Sequence, residues 1–226
     1  MTSEDRTTTN RVHLCGEIVS QPVMTHEICG EGFYEFLVSV PRLSSQRDVI
    51  PVTAAERLLC GADLKEGDRI AVDGQFRSYN KMTDNRSKLM LTVFVKEFAD
   101  PDDGGVNPNF AELTGYICKE PIYRTTPLSR EICDLLIAVN RAFNKSDYIP
   151  CIAWGRNARY CRTLPVGTKL CIAGRIQSRQ YVKKLSEEES ETRTAYEISV
   201  GRIETVHTEL REEDGCAATT RDDPSA

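Results

Sequence analysis

Apolar and polar residues alternate along most of this chain with the period of strands rather than of helices. Within the second half, Phe110–Cys118 alternates loosely. Ile132–Val139 is an apolar run that sets Leu135, Ile137 and Val139 on one face. Tyr148–Trp154 follows as a third strand, with Tyr148, Ile152 and Trp154 on one face and Ile149, Cys151 and Ala153 on the other. Asn157–Leu164 reads as a short helical stretch ended by Pro165-Val-Gly167. Lys169–Tyr181 predicts a long strand in which Gly174 marks a bulge or bend, and Arg193–Ile203 predicts the last strand.

The pattern occurs twice. At an offset of 99 residues, Asn10, Gly16 and Pro22 match Asn109, Gly115 and Pro121. Arg42, Asp48, Ile50, Pro51 and Arg57 likewise match Arg141, Asp147, Ile149, Pro150 and Arg156. After small length changes Gly67 and Gly74 match Gly167 and Gly174, and Arg77 and Tyr79 are set against Arg179 and Tyr181. This is duplication of a whole domain rather than a solenoid of short repeats. Three strands, a short helix and two strands suit a closed barrel of the OB type. The expected fold is all-β: two tandem five-stranded OB barrels over residues 10–98 and 109–205, each with one short helix. Residues 99–108, rich in turn formers and acid, read as a linker, and residues 206–226 as an acidic disordered tail.

Composition narrows the function classes. The chain has 226 residues, 40% of them hydrophobic and 28% charged, which is ordinary for globular domains. No apolar run reaches the roughly 18 residues of a membrane span, and the N-terminus lacks the apolar core of a signal peptide, so the cytoplasm is the expected compartment. The nine cysteines show no C-x-x-C spacing and several sit in apolar runs, so they read as reduced small hydrophobes. No nucleophile–base constellation, phosphate loop or metal-ligand cluster is visible, so neither an enzyme nor a cofactor is expected. The net charge of −5 would argue against a polyanionic partner, but its distribution does not. Residues 10–98 carry −1 and residues 107–205 carry +4, while the acid collects in 99–106 and 206–226. A partner meets the local field of the second half, which is basic.

The second repeat resembles bacterial single-stranded DNA-binding proteins (SSBs). The matching residues are Asn109 to Gly115 with Pro121, Leu136-Ile-Ala-Val-Asn-Arg-Ala-Phe143, Asp147-Tyr-Ile-Pro-Cys-Ile-Ala-Trp-Gly155, Val166-Gly167 and Gly174-Arg-Ile-Gln-Ser-Arg-Gln-Tyr181. They stand in the family's order and spacing. Two such repeats in one chain resemble the tandem SSBs of some bacteria, which assemble as dimers with four OB folds. The resemblance implies that bases stack on Phe143, Tyr148, Trp154 and Tyr181. Around these lie Arg141, Lys145, Arg156, Arg175, Arg179, Lys183 and Lys184, the mixture of cation and aromatic that holds phosphates and stacks bases. The implied function is sequence-tolerant binding of single-stranded DNA in replication, recombination or repair, at the nucleoid and without membrane contact.

The first repeat matches more weakly. Ser44 stands opposite Phe143, Val49 opposite Tyr148 and Ala55 opposite Trp154, so of the site only Arg77 and Tyr79 are expected to persist. Weak binding, or a role in assembly, is expected there, and Phe33-Tyr-Glu-Phe36 reads as core opening the second strand. The alternative for the whole chain is a replication-accessory OB module that mainly mediates protein assembly. The C-terminus has Asp222 and Asp223 but no apolar anchor, so recruitment of partner enzymes through the tail, common in the family, is not expected.

Overall fold

A computed structural model describes residues 9–83, 86–101, 107–184 and 190–206, so the expected acidic tail lies outside the described residues. The first half contains β1 (Asn10–Ile18), β2 (Val23–Ile28), β3 (Glu31–Pro41), β4 (Arg47–Ala55), α1 (Glu56–Leu59), β5 (Arg69–Thr83) and β6 (Arg86–Ala99). The second repeats it as β7 (Asn109–Ile117), β8 (Ile122–Thr125), β9 (Glu131–Arg141), β10 (Lys145–Trp154), α2 (Arg156–Cys161), β11 (Lys169–Lys184) and β12 (Ser190–Thr205).

Five strands close each barrel. In the first, β1 pairs with β3, β3 with β4, β4 in parallel with β6, β6 with β5, and β5 back to β1. The second closes identically through β7, β9, β10, β12 and β11. Closure requires sharp bends. A Cβ on Gly16 or Gly115 would overlap the Ser39 or Ala138 carbonyl of the strand crossing it. The bulge expected at Gly174 is present, between Ala173 and Gly174, and recurs between Asp73 and Gly74. Leu14, Val38, Val52, Val72 and Phe76 fill the first barrel, and Leu113, Ile137, Ile149, Leu170 and Ile176 the second.

Each barrel also carries a strand that the sequence pattern does not announce. β2 and β8 form hairpins with β3 and β9 outside the closed ring. Every residue of β2 is exposed, so no buried face imposes alternation on its sequence. The cysteine expectation holds only in part: Cys133, Cys151 and Cys161 are core residues, whereas Cys29 and Cys60 are exposed. Burial pushes the Cys161 thiol up to about 12, and that of Cys151 higher still, which leaves both protonated and inert. No helix among the described residues is long and apolar enough to cross a membrane.

The two barrels share one sheet. β1 pairs antiparallel with β7, from Asn10 opposite Leu113 to Leu14 opposite Asn109. Val12 faces Ala111, its own equivalent in the repeat, so a local two-fold axis passes between them. The Asn10 amide donates to the Phe76 carbonyl and accepts its N–H at 2.7 and 2.9 Å; Asn109 does the same to Ile176 at 2.7 and 2.8 Å. These buried amides act as one rung of a ladder, which accounts for their recurrence in both repeats.

Further along the junction two carboxylates reach across. Asp48, fully buried, accepts from Arg42 Nε and Nη2 at 2.7 and 2.6 Å, from Arg175 Nη1 at 3.0 Å and from the Ser178 N–H at 2.7 Å. Asp147 accepts from the Ser78 N–H at 2.9 Å and lies 3.6 Å from Arg141. Ser178 and Ser78 in turn receive the N–H groups of Val49 and Tyr148 on their hydroxyls.

Candidate nucleic-acid interface

The outward face of the second barrel follows from strand parity. On β10 Ile149, Cys151 and Ala153 point into the core and Asp147, of the same parity, into the junction, which leaves Tyr148, Pro150, Ile152 and Trp154 on the opposite side. On β11, Arg175, Gln177, Arg179 and Tyr181 share one side, and Arg175 and Gln177 pair with Ser199 and Glu197 of β12. β12 lies between β10 and β11, so all three strands present one polar and aromatic surface.

Trp154 is half-buried on this surface, and its indole N–H donates to Ser199 Oγ at 3.2 Å. Tyr148 and Tyr181 are exposed, and the Arg179 guanidinium sits 5.9 Å from the Tyr181 ring centre. Phe143 is different in kind. It occupies the turn between β9 and β10 at 93% exposure, with φ at +62°, a left-handed conformation that bulky residues rarely adopt. A phenyl ring held in solvent on a strained turn gains nothing from the fold; such outliers cluster where a ligand is met.

The cations expected from sequence divide into two groups. Lys145 and Arg156 are exposed, with no carboxylate in ion-pair distance among the described residues. Lys183 and Lys184 lie on the last residues of β11, and their side chains fall outside the described residues. Arg179 lies 3.7 Å from Glu197, which also accepts from Gln177 Nε2 at 2.7 Å. Arg141 and Arg175 edge the same surface, but their charge is held by Asp147 and Asp48 at the junction. Among the described residues no group of three His, Cys, Asp or Glu side chains is placed to hold a metal ion.

The first barrel corrects the repeat alignment. Ser78 and Ser178 make equivalent bonds to Asp147 and Asp48, so β5 maps onto β11 at an offset of 100. Tyr79 therefore stands opposite Arg179, Arg77 opposite Gln177, and Lys81 takes the place of Tyr181. Tyr79 donates to Glu35 at 3.1 Å; burial and then the Glu35 charge push its phenol up to about 12. The Phe33–Phe36 segment opens β3, and only Phe36 is core. Phe33 is half-buried on the outer face, stacked on His26 at 5.0 Å and tilted against Phe94 at 5.8 Å. The role of Phe33 was hidden because Phe33 and Phe36 sit in one short aromatic run, and their opposite parity was the available signal. The Asp48 and Asp147 latches were signalled only by their recurrence at matched positions with Arg42 and Arg141.

Two five-strand barrels with outward aromatic faces define tandem OB-fold proteins. Residues 108–206 match the model of the single-strand binding protein family. It is 35% identical over 80 residues to single-stranded DNA-binding protein 1 of Staphylococcus aureus (strain COL), covering 32% of this chain and 48% of that protein. It is 32% identical over 83 residues to the single-stranded DNA-binding protein of Clostridium tetani, covering 34% and 57%. The chain thus spans about half the length of the curated relatives it matches. The fold alone extends further. A deletion mutant of the single-stranded DNA binding protein from Thermus aquaticus superposes with a TM-score of 0.69 at 21% identity, over 91% of this chain and 98% of that one.

Proposed function

We propose that this protein binds single-stranded DNA without sequence preference and without catalysis, covering strands exposed in replication, recombination or repair. Phe143, Tyr148, Trp154 and Tyr181 stack bases, which every base allows because each has a π-face. Lys145, Arg156, Lys183 and Lys184 neutralise phosphates, with Arg179, Arg77 and Tyr79 at the rim. Arg141 and Arg175 edge the groove while holding the junction. The observation that carries the reading is Phe143, displayed on a strained turn beside an outward aromatic face. The proposal includes a homodimer of four barrels acting in the cytoplasm at the nucleoid.

The single Trp provides the test. Oligo(dT) is titrated at low and moderate salt, read by Trp154 fluorescence and by anisotropy of labelled DNA. Quenching that weakens with salt is the expected result. The absence of any anisotropy change at low salt overturns the reading.

A further inference from the structure

The aromatic surface that sequence comparison says the first barrel lacks is present there in another form. Around Trp154, the second barrel has Ile132 on one neighbouring strand and Ser199 on the other. The equivalent positions of the first barrel hold Ala55, Phe33 and Phe94. The bulk has moved from the middle strand to its two flanks. Ala55 is small enough for the two phenyl rings to approach within 5.8 Å. His26 stacks on Phe33 with only 9° between the planes, and the Arg77 guanidinium lies 3.9 Å from the Phe94 ring centre. The result is a run of four planar groups, with His26 exposed at one end and a cation at the other.

The cationic end of the run lies at the junction with the second barrel. Arg77 lies within electrostatic range of Arg141 and Asp147, and its neighbour Ser78 binds the Tyr148 N–H at 2.7 Å. Two arginines there face one aspartate, and Arg77 makes no ion pair among the described residues, its guanidinium donating to Gln75 Oε1 instead. Aromatic rings and guanidinium planes both stack on bases, and a cation suits the phosphates between them.

We infer that His26–Phe33–Phe94–Arg77 is a second base-stacking platform, onto which a single strand held by the second barrel continues past Tyr148. The inference rests on the reading of the second barrel as a single-strand site.

The test uses the full chain with His26→Ala, at an exposed position, and Phe33→Leu, which keeps apolar volume but removes the ring. Each is titrated with short and long labelled oligo(dT). Short oligomers, filling only the second barrel, bind both variants as they bind the wild type. For long oligomers the variants lose affinity by about 5- to 150-fold, the equivalent of one stacked base. Long oligo(dT) carrying 4-thiothymidine is also photocrosslinked to the wild type, which does not depend on how a variant folds. Crosslinks to peptides containing His26, Phe33 or Phe94 are expected. Crosslinks confined to residues 109–205, or long-oligomer affinities unchanged in both variants, overturn the second platform. Failure of the wild type to bind any oligomer instead overturns the function itself.

Discussion

The Ser178 N–H of the second barrel donates to Asp48 of the first at 2.7 Å, and the Ser78 N–H of the first donates to Asp147 of the second at 2.9 Å. The two bonds run in opposite senses across the local two-fold axis at Val12 and Ala111. Together with the β1–β7 pairing they fasten the barrels at three places. The outward faces are therefore held in a fixed relation, which a ligand crossing between them would need.

The two latches are unequal, and this gives a prediction. Burial alone would raise the Asp48 carboxyl, but the hydrogen bonds from Arg42 and Ser178 and the charges of Arg42 and Arg175 outweigh it and hold the group below its ordinary 3.8. A group depressed in the folded state stabilises fully above its unfolded value, and that stability is lost as pH falls below 3.8 toward the folded value. Asp48→Asn strands two arginines at the junction and costs about 3–5 kcal/mol. Asp147→Asn costs less, because Arg141 is 3.6 Å away and makes a single contact. Urea unfolding at neutral pH measures the difference. Repeated on falling pH, it shows a shallower acid loss in Asp48→Asn than in wild type; an unchanged acid profile removes Asp48 as its source.

Much of this was legible in the sequence because one face of each strand is buried. The strand parity of Tyr148 and Trp154, the bulge at Gly174 and the duplication all express constraints that alternate with the pleat or recur with the fold. What was not legible lacks such a constraint. β2 is exposed along its whole length and carries no period. The exchange of Trp154 for Phe33 and Phe94 preserves a surface without preserving any position, so comparison residue by residue reads it as loss. The length of the loop before β5 sets the register of β5 against β11, and the matched bulges at Gly74 and Gly174 and the Ser78 and Ser178 bonds reveal it.

Phe143 separates stability from binding. At φ +62° any side chain beyond glycine is strained, and at 93% exposure the ring buries almost nothing. Phe143→Gly relieves the backbone but adds freedom to the unfolded chain, a change of about 0.4–1 kcal/mol in the opposite direction. The variant is therefore expected to melt at or slightly above the wild-type temperature. If a base stacks on the ring, the same variant loses about 1–3 kcal/mol of affinity for oligo(dT). Calorimetry and anisotropy on one preparation decide it. A fall in melting temperature with unchanged affinity would make Phe143 a structural residue.

The arginines and lysines of the face are distinguished by salt. Each phosphate neutralised on a single strand contributes about −0.7 to the slope of log affinity against log salt. Lys145 and Arg156 have no carboxylate partner among the described residues, so Lys145→Ala and Arg156→Ala should each make the slope shallower by about that amount. Arg175 is 3.0 Å from the buried Asp48 and spends its charge there. Arg175→Ala should leave the slope nearly unchanged while lowering the urea midpoint, since Asp48 then keeps only Arg42 and the Ser178 hydrogen bonds. A slope that shifts equally in all three variants would mean that DNA draws Arg175 away from Asp48, and that the junction opens on binding.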